Sequence, residues 1–483
     1  MLNEAQVICS KPQHLLPIGW ANTQLGVILM NFESGGRPKG GVRNITAGIP
    51  SIGGEHLTAD GKFNFEEIRY IPHEFYEEMT KGKIQKGDVL IVKDGATTGK
   101  TAIIRSDFPY EKAAVNEHVF ITRPFQDVDN LYLFYYLYSP YGQDYVQKNF
   151  KGTAQGGINL TFAKETFIPL PPTEEQHRIV AKIEELFTKL DAGIEALKKI
   201  KAQLKRYRQA VLKYAFEGKL TAEWRKAHKN ELEPASVLLI KVKEERKKKG
   251  GFKELPQVDT SNLSELPESW TWTPLGRIVE FEYGKGLRKD RRVFGGTVPV
   301  YGSNGIVGYH DIPLTNNACL VIGRKGALGE VHLSRVPCWP IDTTYYVYAS
   351  NGINLYFLYY LLCTLRLNAL DKSTAIPGLN RNDAYKLSIP VASTIEQQKI
   401  VEEIDRHFSM ADEIERVVDQ GLKQAERLRQ SILKRAFAGK LVPQDPNDEP
   451  AEKLLKRIKL EKLNKQYTED NSKVRKKGKN EVQ

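Results

Sequence analysis

The chain has 483 residues, with 71 Lys and Arg against 59 Asp and Glu, a formal net charge of +12. This length exceeds what one hydrophobic core usually organises and predicts about three domains, and the basic surplus favours a polyanionic partner over a cationic one without specifying a sequence or a fold. The four cysteines, Cys9, Cys319, Cys338 and Cys363, show no CxxC spacing, which argues against a zinc site or a disulfide framework.

Residues 1–14 are predicted to be an N-terminal extension. Glu4, Lys11 and His14 interrupt its apolar residues, so it lacks the apolar core of a signal peptide. No uninterrupted apolar run in the chain approaches the ~18 residues of a membrane span. We therefore expect a soluble, cytoplasmic protein with buried, reduced thiols and no contact with a membrane.

The first globular region is predicted to occupy residues 15–171. Short apolar runs of β type, such as KGDVLIVKDGATTGK at Lys86–Lys100, are punctuated by glycine and followed by an aromatic helix, NLYLFYYL at Asn130–Leu137. This alternation predicts an α+β fold and not a doubly wound sheet.

One string in this region, DGATTGKT at Asp94–Thr101, nearly spells a phosphate-binding loop. Asp94 stands where the first glycine belongs, and a strand at residues 102–104 follows where a helix would have to begin. Without a helix N-terminus the phosphate cradle is lost, so we expect no ATP site here.

Residues 172–220 are predicted to form a long helix. Pro171, Pro172 and Thr173 mark its start, and Gly218 fits the left-handed residue that ends a helix. Apolar residues recur at every seventh position, which is typical of a coiled-coil seam. The seam residues are Ile183, Leu190, Leu197, Leu204 and Val211.

The second half repeats this plan after a linker, residues 221–263, that contains a charged helix. A second α+β region is predicted at 264–391 and a second long helix at 392–441, with Gly439 as the left-handed residue that ends it. The seam of that helix is Ile404, Ala411, Val418, Ala425 and Ile432. Residues 442–483 are predicted to form a charged helix and then, from Lys473, a disordered basic tail, because the tail has almost no apolar residues.

The repeat is in register along both long helices. EQHRIV and EQQKIV begin at 175 and 396, RQAVLK and RQSILK at 208 and 429, and AFEGKL and AFAGKL at 215 and 436, so one offset of 221 residues relates all three pairs. Two equivalent halves suit a ligand that is itself two-fold, and duplex DNA is such a ligand.

The two seams predict an antiparallel pairing of the helices. In that arrangement Leu204 falls near Ala411 and Leu190 near Ala425, so that large residues face small ones. Val211 would face Ile404, and Ile183 would face Ile432. Some 44 helical residues would make a rod of about 65 Å that holds the domains at a fixed separation. The alternative is that each helix packs only on its own domain.

The sequence contains no credible active site. It lacks the Asn-Pro-Pro-aromatic string that an amino-methylating site would need, and no glycine-rich turn lies in a cofactor-binding context. The nine histidines are scattered singly, and a lone one such as His118 or His332 is typical of a structural residue. We therefore predict no catalytic residue, no bound metal and no bound cofactor.

The doubled helix motifs resemble the conserved regions of the specificity subunits of type I restriction–modification enzymes. LTAEWRK at Leu220–Lys226 is similar to a segment that follows those helices, and PSIGGEHL at Pro50–Leu57 and PVYGSNGIVGYHD at Pro299–Asp311 are similar to elements of their target-recognition domains. The resemblance covers residues 15 to 441.

This resemblance implies a non-catalytic DNA reader with two pseudo-symmetric α+β target-recognition domains joined by two long antiparallel coiled-coil helices. Each domain would read one half of a split target in double-stranded DNA, and the helices would set the spacing and dock two modification (methyltransferase) subunits. S-adenosylmethionine is expected in those partners, and ATP and Mg²⁺ in restriction subunits that translocate and cleave DNA. The charged helices of linker and tail would each contact one partner copy or would be solvated connectors.

Two other functions stay open from the sequence alone. One is a combined restriction and modification enzyme, which the missing methylation and nuclease motifs disfavour. The other is a coiled-coil scaffold with no role on DNA, which the basic, polar loops disfavour.

Predicted DNA contacts lie in glycine-rich and basic loops, because Lys and Arg bind phosphates and polar side chains read base edges. The candidates are Arg37, Lys39, Arg43, Ser51, Gly53, Gly54, Lys93, Asp94, Thr97, Thr98 and Lys100 in the first domain, and Arg288, Lys289, Arg291, Arg292, Tyr301, Ser303, Asn304, Arg324 and Lys325 in the second. For any single candidate the alternative is a solvated surface residue, and for Ser51, Gly53 and Gly54 it is a structural turn.

Overall fold

The computed structural model describes residues 16–152, 156–248, 250, 254–370 and 378–480, with side chains as far as Lys465. The chain divides into two compact units. The first unit is Met1–Ala196 with Gly421–Gln483, and the second is Leu197–Gln420. Each unit therefore combines one α+β region with parts of both long helices. The predicted N-terminal extension, residues 1–14, lies outside the described residues.

The elements of the first region are β1 (Ala21–Gln24), α1 (Leu25–Ile28), β2 (Leu29–Ser34), β3 (Ile49–Ile52), β4 (Arg69–Ile71), α2 (His73–Glu78), β5 (Val89–Val92), β6 (Thr101–Ile103), β7 (Ala114–Val115), β8 (Val119–Pro124), α3 (Asn130–Tyr138), α4 (Pro140–Lys148), α5 (Phe162–Glu165) and β9 (Phe167–Leu170). The long helix α6 (Thr173–Phe216) follows, and then α7 (Ala222–Ala227) and α8 (Ala235–Lys248).

The elements of the second region are β10 (Thr271–Pro274), β11 (Glu282–Tyr283), β12 (Val298–Gly302), β13 (Gly305–His310), β14 (Cys319–Gly323), β15 (Val331–Ser334), β16 (Trp339–Pro340), β17 (Thr344–Val347), α9 (Leu355–Thr364), α10 (Arg381–Tyr385) and β18 (Ser388–Val391). The second long helix, α11 (Thr394–Phe437), and α12 (Ala451–Asn480) complete the chain.

Both regions are built from the same three sheets. In the first region β1 pairs with β9, and the other two sheets have the orders β2-β8-β5-β6 and β4-β3-β7. In the second region the orders are β10-β18, β11-β17-β14-β15 and β13-β12-β16. Even the parallel pair in each region, β3 with β7 and β12 with β16, is repeated. The predicted α+β fold is thus confirmed in both halves, with one topology.

The aromatic helices α3 and α9 form the centres of the two hydrophobic cores. Six consecutive residues of α3, from Tyr132 to Leu137, are buried, which is typical of a helix that is apolar on all sides. The side chain of Asp129 accepts hydrogen bonds from two backbone N–H groups in the first turn of α3, and Asn354 does the same for α9. These caps set where each helix begins.

A buried glutamate ties the start of each long helix to its domain. In the first unit Glu175 Oε2 accepts a hydrogen bond of 2.9 Å from the indole Nε1 of Trp20. In the second unit Glu396 Oε2 accepts one of 2.8 Å from Trp270. Trp20 ends the string LPIGW at Leu16–Trp20, and Trp270 ends the similar string LPESW at Leu266–Trp270. Two repeated motifs that lie far apart in sequence therefore meet at each helix start.

The neighbouring glutamine connects the long helix to the aromatic helix. Gln176 Oε1 accepts a hydrogen bond of 2.9 Å from the backbone N–H of Asp129, the residue that caps α3. Gln397 Oε1 accepts an equivalent bond of 2.8 Å from Asn354. The repeated Glu-Gln pair is therefore a structural joint between helix and domain.

The two long helices run antiparallel. In the second unit Lys201 Nζ lies 2.8 Å from Asp419 Oδ1, and Arg208 Nη2 lies 2.6 Å from Asp412 Oδ1. In the first unit Arg429 pairs with Asp191. Residues 191 and 208 become 412 and 429 when the offset of 221 is added, so the same ion pair occurs once in each unit. The arginine of the repeated Arg-Gln motif makes this contact.

The predicted seam residues lie along the contact between the helices. Ile183, Leu204, Val211, Ile404, Ala411, Val418, Ala425 and Ile432 are buried, whereas Leu190 and Leu197 are half-buried. Ile183 and Ile432 belong to the core of the first unit, and Val211 and Ile404 belong to that of the second. The helices therefore pack on each other and also on the domains.

Each long helix ends at a left-handed glycine, as predicted. Gly218 has a φ of +71° and Gly439 a φ of +65°. The following N–H groups, of Lys219 and Lys440, donate back to carbonyls in the last helical turn at 2.9 and 2.8 Å, the pattern of a Schellman end.

The charged helices α8 and α12 occupy equivalent places. Three apolar residues on one face of α8, Ala235, Leu238 and Val242, are buried in the core of the second unit. Their counterparts on α12, Ala451, Leu454 and Ile458, are buried in the core of the first unit. Both helices are thus packed parts of the domains and not solvated connectors.

The charged helix predicted after residue 442 is α12, and its helical backbone extends to Asn480, which is consistent with the high helix propensity of Lys, Arg and Glu. The disorder predicted from Lys473 stays a prediction. Residues 481–483 lie outside the described residues. None of the described helices is both long and apolar enough to cross a membrane.

Candidate nucleic-acid interface

Three loops of the first region meet beyond the ends of its central strands. They are residues 35–48 between β2 and β3, 93–100 between β5 and β6, and 116–118 between β7 and β8. Lys93 Nζ donates to the carbonyl oxygen of Glu117 at 2.9 Å. Arg37 Nη2 lies 2.9 Å from Glu117 Oε1. Two predicted DNA contacts from separate loops, Arg37 and Lys93, thus converge on Glu117.

A third predicted contact, Asp94, joins the same cluster. Its Oδ1 lies 2.5 Å from Nδ1 of His118, and its Oδ2 lies 3.7 Å from Lys93 Nζ. Glu117 Oε2 is buried and has no hydrogen-bond partner among the described residues. The observed role of Glu117 is to hold Arg37 and Lys93 together. Glu117 was not among the predicted contacts, because nothing in its local pattern distinguishes it from a surface acid.

The remaining basic candidates of the first domain are accessible. Lys39 and Arg43 are exposed on the loop 35–48 and form no ion pair within the part of the chain that the structure describes. Thr97, Thr98 and Lys100 form a tight turn, in which Thr98 Oγ1 donates to the carbonyl of Gly95 at 2.7 Å. Strand β6 follows this turn directly, so the prediction that no helix follows the phosphate-loop-like string is confirmed.

Ser51, Gly53 and Gly54 are buried at the end of β3. A Cβ at Gly54 would approach Val92 Cγ1 to 2.9 Å, and one at Gly53 would approach the amide nitrogen of Asn116 to 2.7 Å. These glycines allow strand β3 to pass close to the neighbouring loops. Their burial favours the structural alternative, and contact of these three residues with DNA stays an untested prediction.

The second region has an equivalent set of loops at residues 284–297, 324–330 and 341–343. Arg324 takes the place of Lys93, because its Nη2 donates to the carbonyl of Asp342 at 2.6 Å and its backbone N–H donates to that of Thr343 at 2.9 Å. The guanidinium lies 5.5 Å from the ring centre of Tyr283. Arg324 is therefore held in place by a stacking contact and by the backbone, whereas the adjacent Lys325 is exposed.

The loop 284–297 carries most of the positive charge of this cluster. Five of the eight residues 285–292 are basic and one is acidic. Arg288 pairs with Asp290 at 2.9 Å, and Arg292 Nη1 donates to the carbonyl of Val307 at 2.8 Å. Lys289 and Arg291 are exposed and form no ion pair in the described part of the chain. These two are the cations best placed to neutralise phosphates.

The hairpin of β12 and β13 divides its predicted contacts between core and surface. Tyr301 is buried against Cys319 and Cys338, in a strand whose last four residues are all buried. Ser303 is half-buried, and Asn304 is exposed at the turn. Tyr309 was not among the predicted contacts, and it is 46% exposed on β13.

The long helices also leave apolar side chains at the surface of the second unit. Ile200, Met410, Ile414 and Val417 are between 38% and 53% exposed. Beside them Tyr207 Oη lies 2.6 Å from His407 Nδ1. Several exposed apolar side chains on one pair of helices are typical of a surface that binds another protein.

Across residues 16–480, wherever the structure describes them, no group of three or more His, Cys, Asp and Glu side chains is arranged to hold a metal ion.

Comparison with known families matches the model described as type I restriction modification DNA specificity domain at residues 17–206 and again at 267–424. The two matches correspond to the two halves of the repeat and together cover more than half of the chain.

Among individual proteins, the chain is similar to the EcoBI specificity subunit of type I restriction enzymes from Escherichia coli, at 32% identity over 40% of this chain and 41% of that one. It is also similar to the EcoKI specificity subunit of Escherichia coli strain K12, at 24% identity over 83% and 86% of the two chains. The StySPI specificity subunit of Salmonella potsdam matches at 24% identity over 92% and 96%.

Two solved structures share the fold. A chain from a study titled as complex assembly and conformational transition of the type I R-M system has a TM-score of 0.66 at 18% identity, covering 88% of this chain and 100% of that one. The HsdS subunit from Thermoanaerobacter tengcongensis has a TM-score of 0.52 at 18% identity, covering 89% and 99%.

Proposed function

Because this chain belongs to the type I restriction modification DNA specificity family, we propose that each of its two α+β domains reads one half of a split target in double-stranded DNA. The chain is a DNA sequence-specificity subunit and is not itself an enzyme. The resemblance inferred from the doubled helix motifs is confirmed.

One observation carries the proposal of two readers. The same three-sheet topology occurs twice, and in both copies the loops that bear the predicted DNA contacts lie at the same ends of the same strands. The loops themselves differ, since residues 35–48 contain three cations and no acid, whereas 285–292 contain five cations and one acid. One scaffold with two different loop sets is what reading two different half-sites requires.

Within each domain we propose a division of roles. Exposed cations such as Lys39, Arg43, Lys289 and Arg291 bind phosphates and give affinity and register. Glu117 holds Arg37 and Lys93, from two separate loops, in one cluster that faces the DNA. Arg324 positions the equivalent loop in the second domain.

We further propose that the long helices dock two modification subunits and set the spacing between the half-sites. The exposed apolar side chains around Ile414 supply such a surface in the second unit, and the packed helices α8 and α12 supply one in each half. S-adenosylmethionine is expected in the modification subunits, and ATP and Mg²⁺ in restriction subunits. We place the assembly in the cytoplasm of a prokaryote, where its DNA substrate lies.

A shift assay with half-site competitors tests this proposal. The chain, co-expressed with its modification subunit, is bound to a labelled duplex that carries the target, and competitor duplexes are randomised in one half at a time. We expect each half alone to compete partially, and binding to weaken steeply with salt. If replacing the loop 284–297 by glycine and serine weakens recognition of both halves equally, independent reading by two domains is wrong.

The combined restriction and modification enzyme predicts a different result. In that case this chain alone would transfer methyl groups to the target duplex. A scaffold with no role on DNA would show no salt-dependent binding in any assembly.

A further inference from the structure

The second unit contains a built site for a guanidinium group. Arg225 Nε donates to Glu396 Oε1 at 2.8 Å, and its Nη2 donates to the carbonyl of Gly218 at 2.6 Å. The guanidinium lies 5.5 Å from the ring centre of Trp270, whose indole N–H binds the other oxygen of Glu396. A buried carboxylate, a carbonyl at the helix end and a tryptophan face thus surround one arginine, which combines a charge-assisted pair with a cation–π contact.

The first unit has the same frame without the arginine. Trp20 donates to Glu175 Oε2 at 2.9 Å, and Gly439 ends the long helix as Gly218 does. The amide of Gln444 stands in the guanidinium position, because its Nε2 donates to both Glu175 Oε1, at 3.2 Å, and the carbonyl of Gly439, at 2.9 Å. Glu175 is 1% exposed. Among the described residues no Lys or Arg forms an ion pair with it.

A pocket opens beside this uncompensated carboxylate. Its volume is about 450 Å³, within the ~300–1,000 Å³ typical of ligand sites. Trp20, Pro172, Gln444, Asp445, Asp448 and Glu452 are among the residues that line it. Arg178 is the nearby cation, and it is engaged with Asp448 at 2.6 Å. The pocket is therefore acidic in a chain whose net charge is +12, which disfavours a phosphate ligand.

We infer that this pocket of the first unit binds an arginine side chain presented by a protein partner of the assembly, in the way that the second unit binds its own Arg225. The inference rests on the proposed function only for the existence of that partner. Arginine is favoured over lysine because the frame offers acceptors in two directions and a flat aromatic face, which match a planar fork and not a point charge. Ile18, almost fully exposed at the rim, adds an apolar contact for a protein and not for a small cation.

Occupancy of the pocket requires one local change. Gln444 is an exposed residue whose side chain has to rotate away from Glu175 and Gly439. The two acceptors that it leaves are Glu175 Oε1 and the carbonyl of Gly439. They correspond to Glu396 Oε1 and the carbonyl of Gly218, which Arg225 uses in the second unit. The asymmetry between the halves therefore gives the first unit a site that a partner can complete.

The indole N–H resonances of the ¹⁵N-labelled full chain report on the site. N-acetyl-L-arginine amide is expected to shift the resonance of Trp20, and N-acetyl-L-citrulline amide, which has nearly the same shape without the charge, is not. The variant Arg225→Ala is the control for sensitivity, because it empties the second site and the same probe should then shift Trp270. A shift of Trp270 in that variant with no shift of Trp20 in the native chain would overturn the inference.

Gln444→Arg should fill the pocket from within and abolish the response of Trp20 to the arginine probe. Asn447→Arg adds the same charge to an exposed neighbour and should leave the response intact. Glu175→Gln keeps the indole contact, removes the charge and should also abolish the response. An unchanged response in both pocket variants contradicts the inference.

The assembly supplies the second readout. Gln444→Arg should weaken association with the modification subunit roughly tenfold, as expected for one lost charge-assisted contact, whereas Gln444→Ala should leave it unchanged. Equal association of the two variants would overturn the inference. Salt-dependent binding of the chain to DNA should be the same in both variants, and a native chain that fails to bind DNA would strike the proposed function instead.

Discussion

Replacing Arg225 by glutamine should destabilise the second unit substantially. Arg225 Nε donates a hydrogen bond to Glu396 Oε1 at 2.8 Å, its Nη2 forms an ion pair with the same oxygen at 2.7 Å, and Glu396 is fully buried. Removing one partner of a buried ion pair costs about 3–5 kcal/mol, because the remaining charge is left uncompensated. A glutamine amide can keep one hydrogen bond, as Gln444 does in the first unit, which returns about 1 kcal/mol. The expected loss in the free energy of unfolding is therefore ~2–4 kcal/mol.

Urea unfolding of Arg225→Gln and of the native chain measures this loss, and hydrogen exchange followed by mass spectrometry locates it. Faster exchange is expected around Trp270 and the start of α11, with the first unit unchanged. Lys226→Gln is the matched control, because among the described residues Lys226 forms an ion pair only with the exposed Glu223, and the substitution should change the free energy of unfolding by less than about 0.5 kcal/mol. An equal effect of the two substitutions would refute the reasoning.

Three further outcomes are expected. Lys289→Ala and Arg291→Ala should each weaken binding to all DNA sequences alike and lower the slope of log K against log salt concentration by ~1, measured by fluorescence anisotropy in a salt series. Gly218→Ala should lower the free energy of unfolding by more than about 1 kcal/mol, because Gly218 has a φ of +71° and a Cβ would meet a proline ring at 2.5 Å. Gly193→Ala, in a helix interior with open space, should raise that free energy by ~0.5–1 kcal/mol. Urea unfolding measures both changes. Burial raises the pKa of Glu175 above its ordinary value of 4.5. The native chain should therefore lose stability as the pH rises from 4.5 through the raised pKa. Glu175→Gln should remove this loss in a pH series of unfolding curves.

Two charged side chains near Glu175 also affect its pKa. Arg178 lowers the pKa of Glu175, whereas Asp448 raises it, and both act less strongly than burial does. They remain in the Glu175→Gln variant, so the difference between the two chains isolates the buried carboxylate. A parallel pH dependence of both chains would show that its protonation does not contribute.

Local patterns predicted much of the architecture. The heptad spacing from Ile183 to Val211 placed a long helix, and the glycines at 218 and 439 placed the ends of both helices, because each signal acts within a few residues of the structure it produces. The offset of 221 then predicted equivalent halves, which the shared sheet orders confirm.

Long-range partners could not be read in this way. The hydrogen bond of Trp20 with Glu175 and the pairing of Asp191 with Arg429 join residues that are 155 and 238 positions apart. Nothing in the spacing of a motif states which distant group will satisfy it. The repeated Glu and Arg were recognisable as important, but their roles as joints depend on the folded topology.

The candidate site shows the same limit. Basic loops were predicted from composition, and several of their cations are indeed exposed. Tyr301 was predicted to contact DNA because it lies in a polar turn, yet it lies near the end of strand β12 and is buried against Cys319 and Cys338. Glu117 was missed because its importance comes from Arg37 and Lys93, which only folding brings to it.

The central claim is that two domains of one chain read two halves of one DNA target. Mapping methylated adenines across the genome tests it most directly, in cells that express the modification subunit with either the native chain or a variant whose loop 284–297 is replaced by glycine and serine. The account predicts a split motif for the native chain and, for the variant, a change confined to one half of it. A continuous motif, or a change in both halves, would contradict the account.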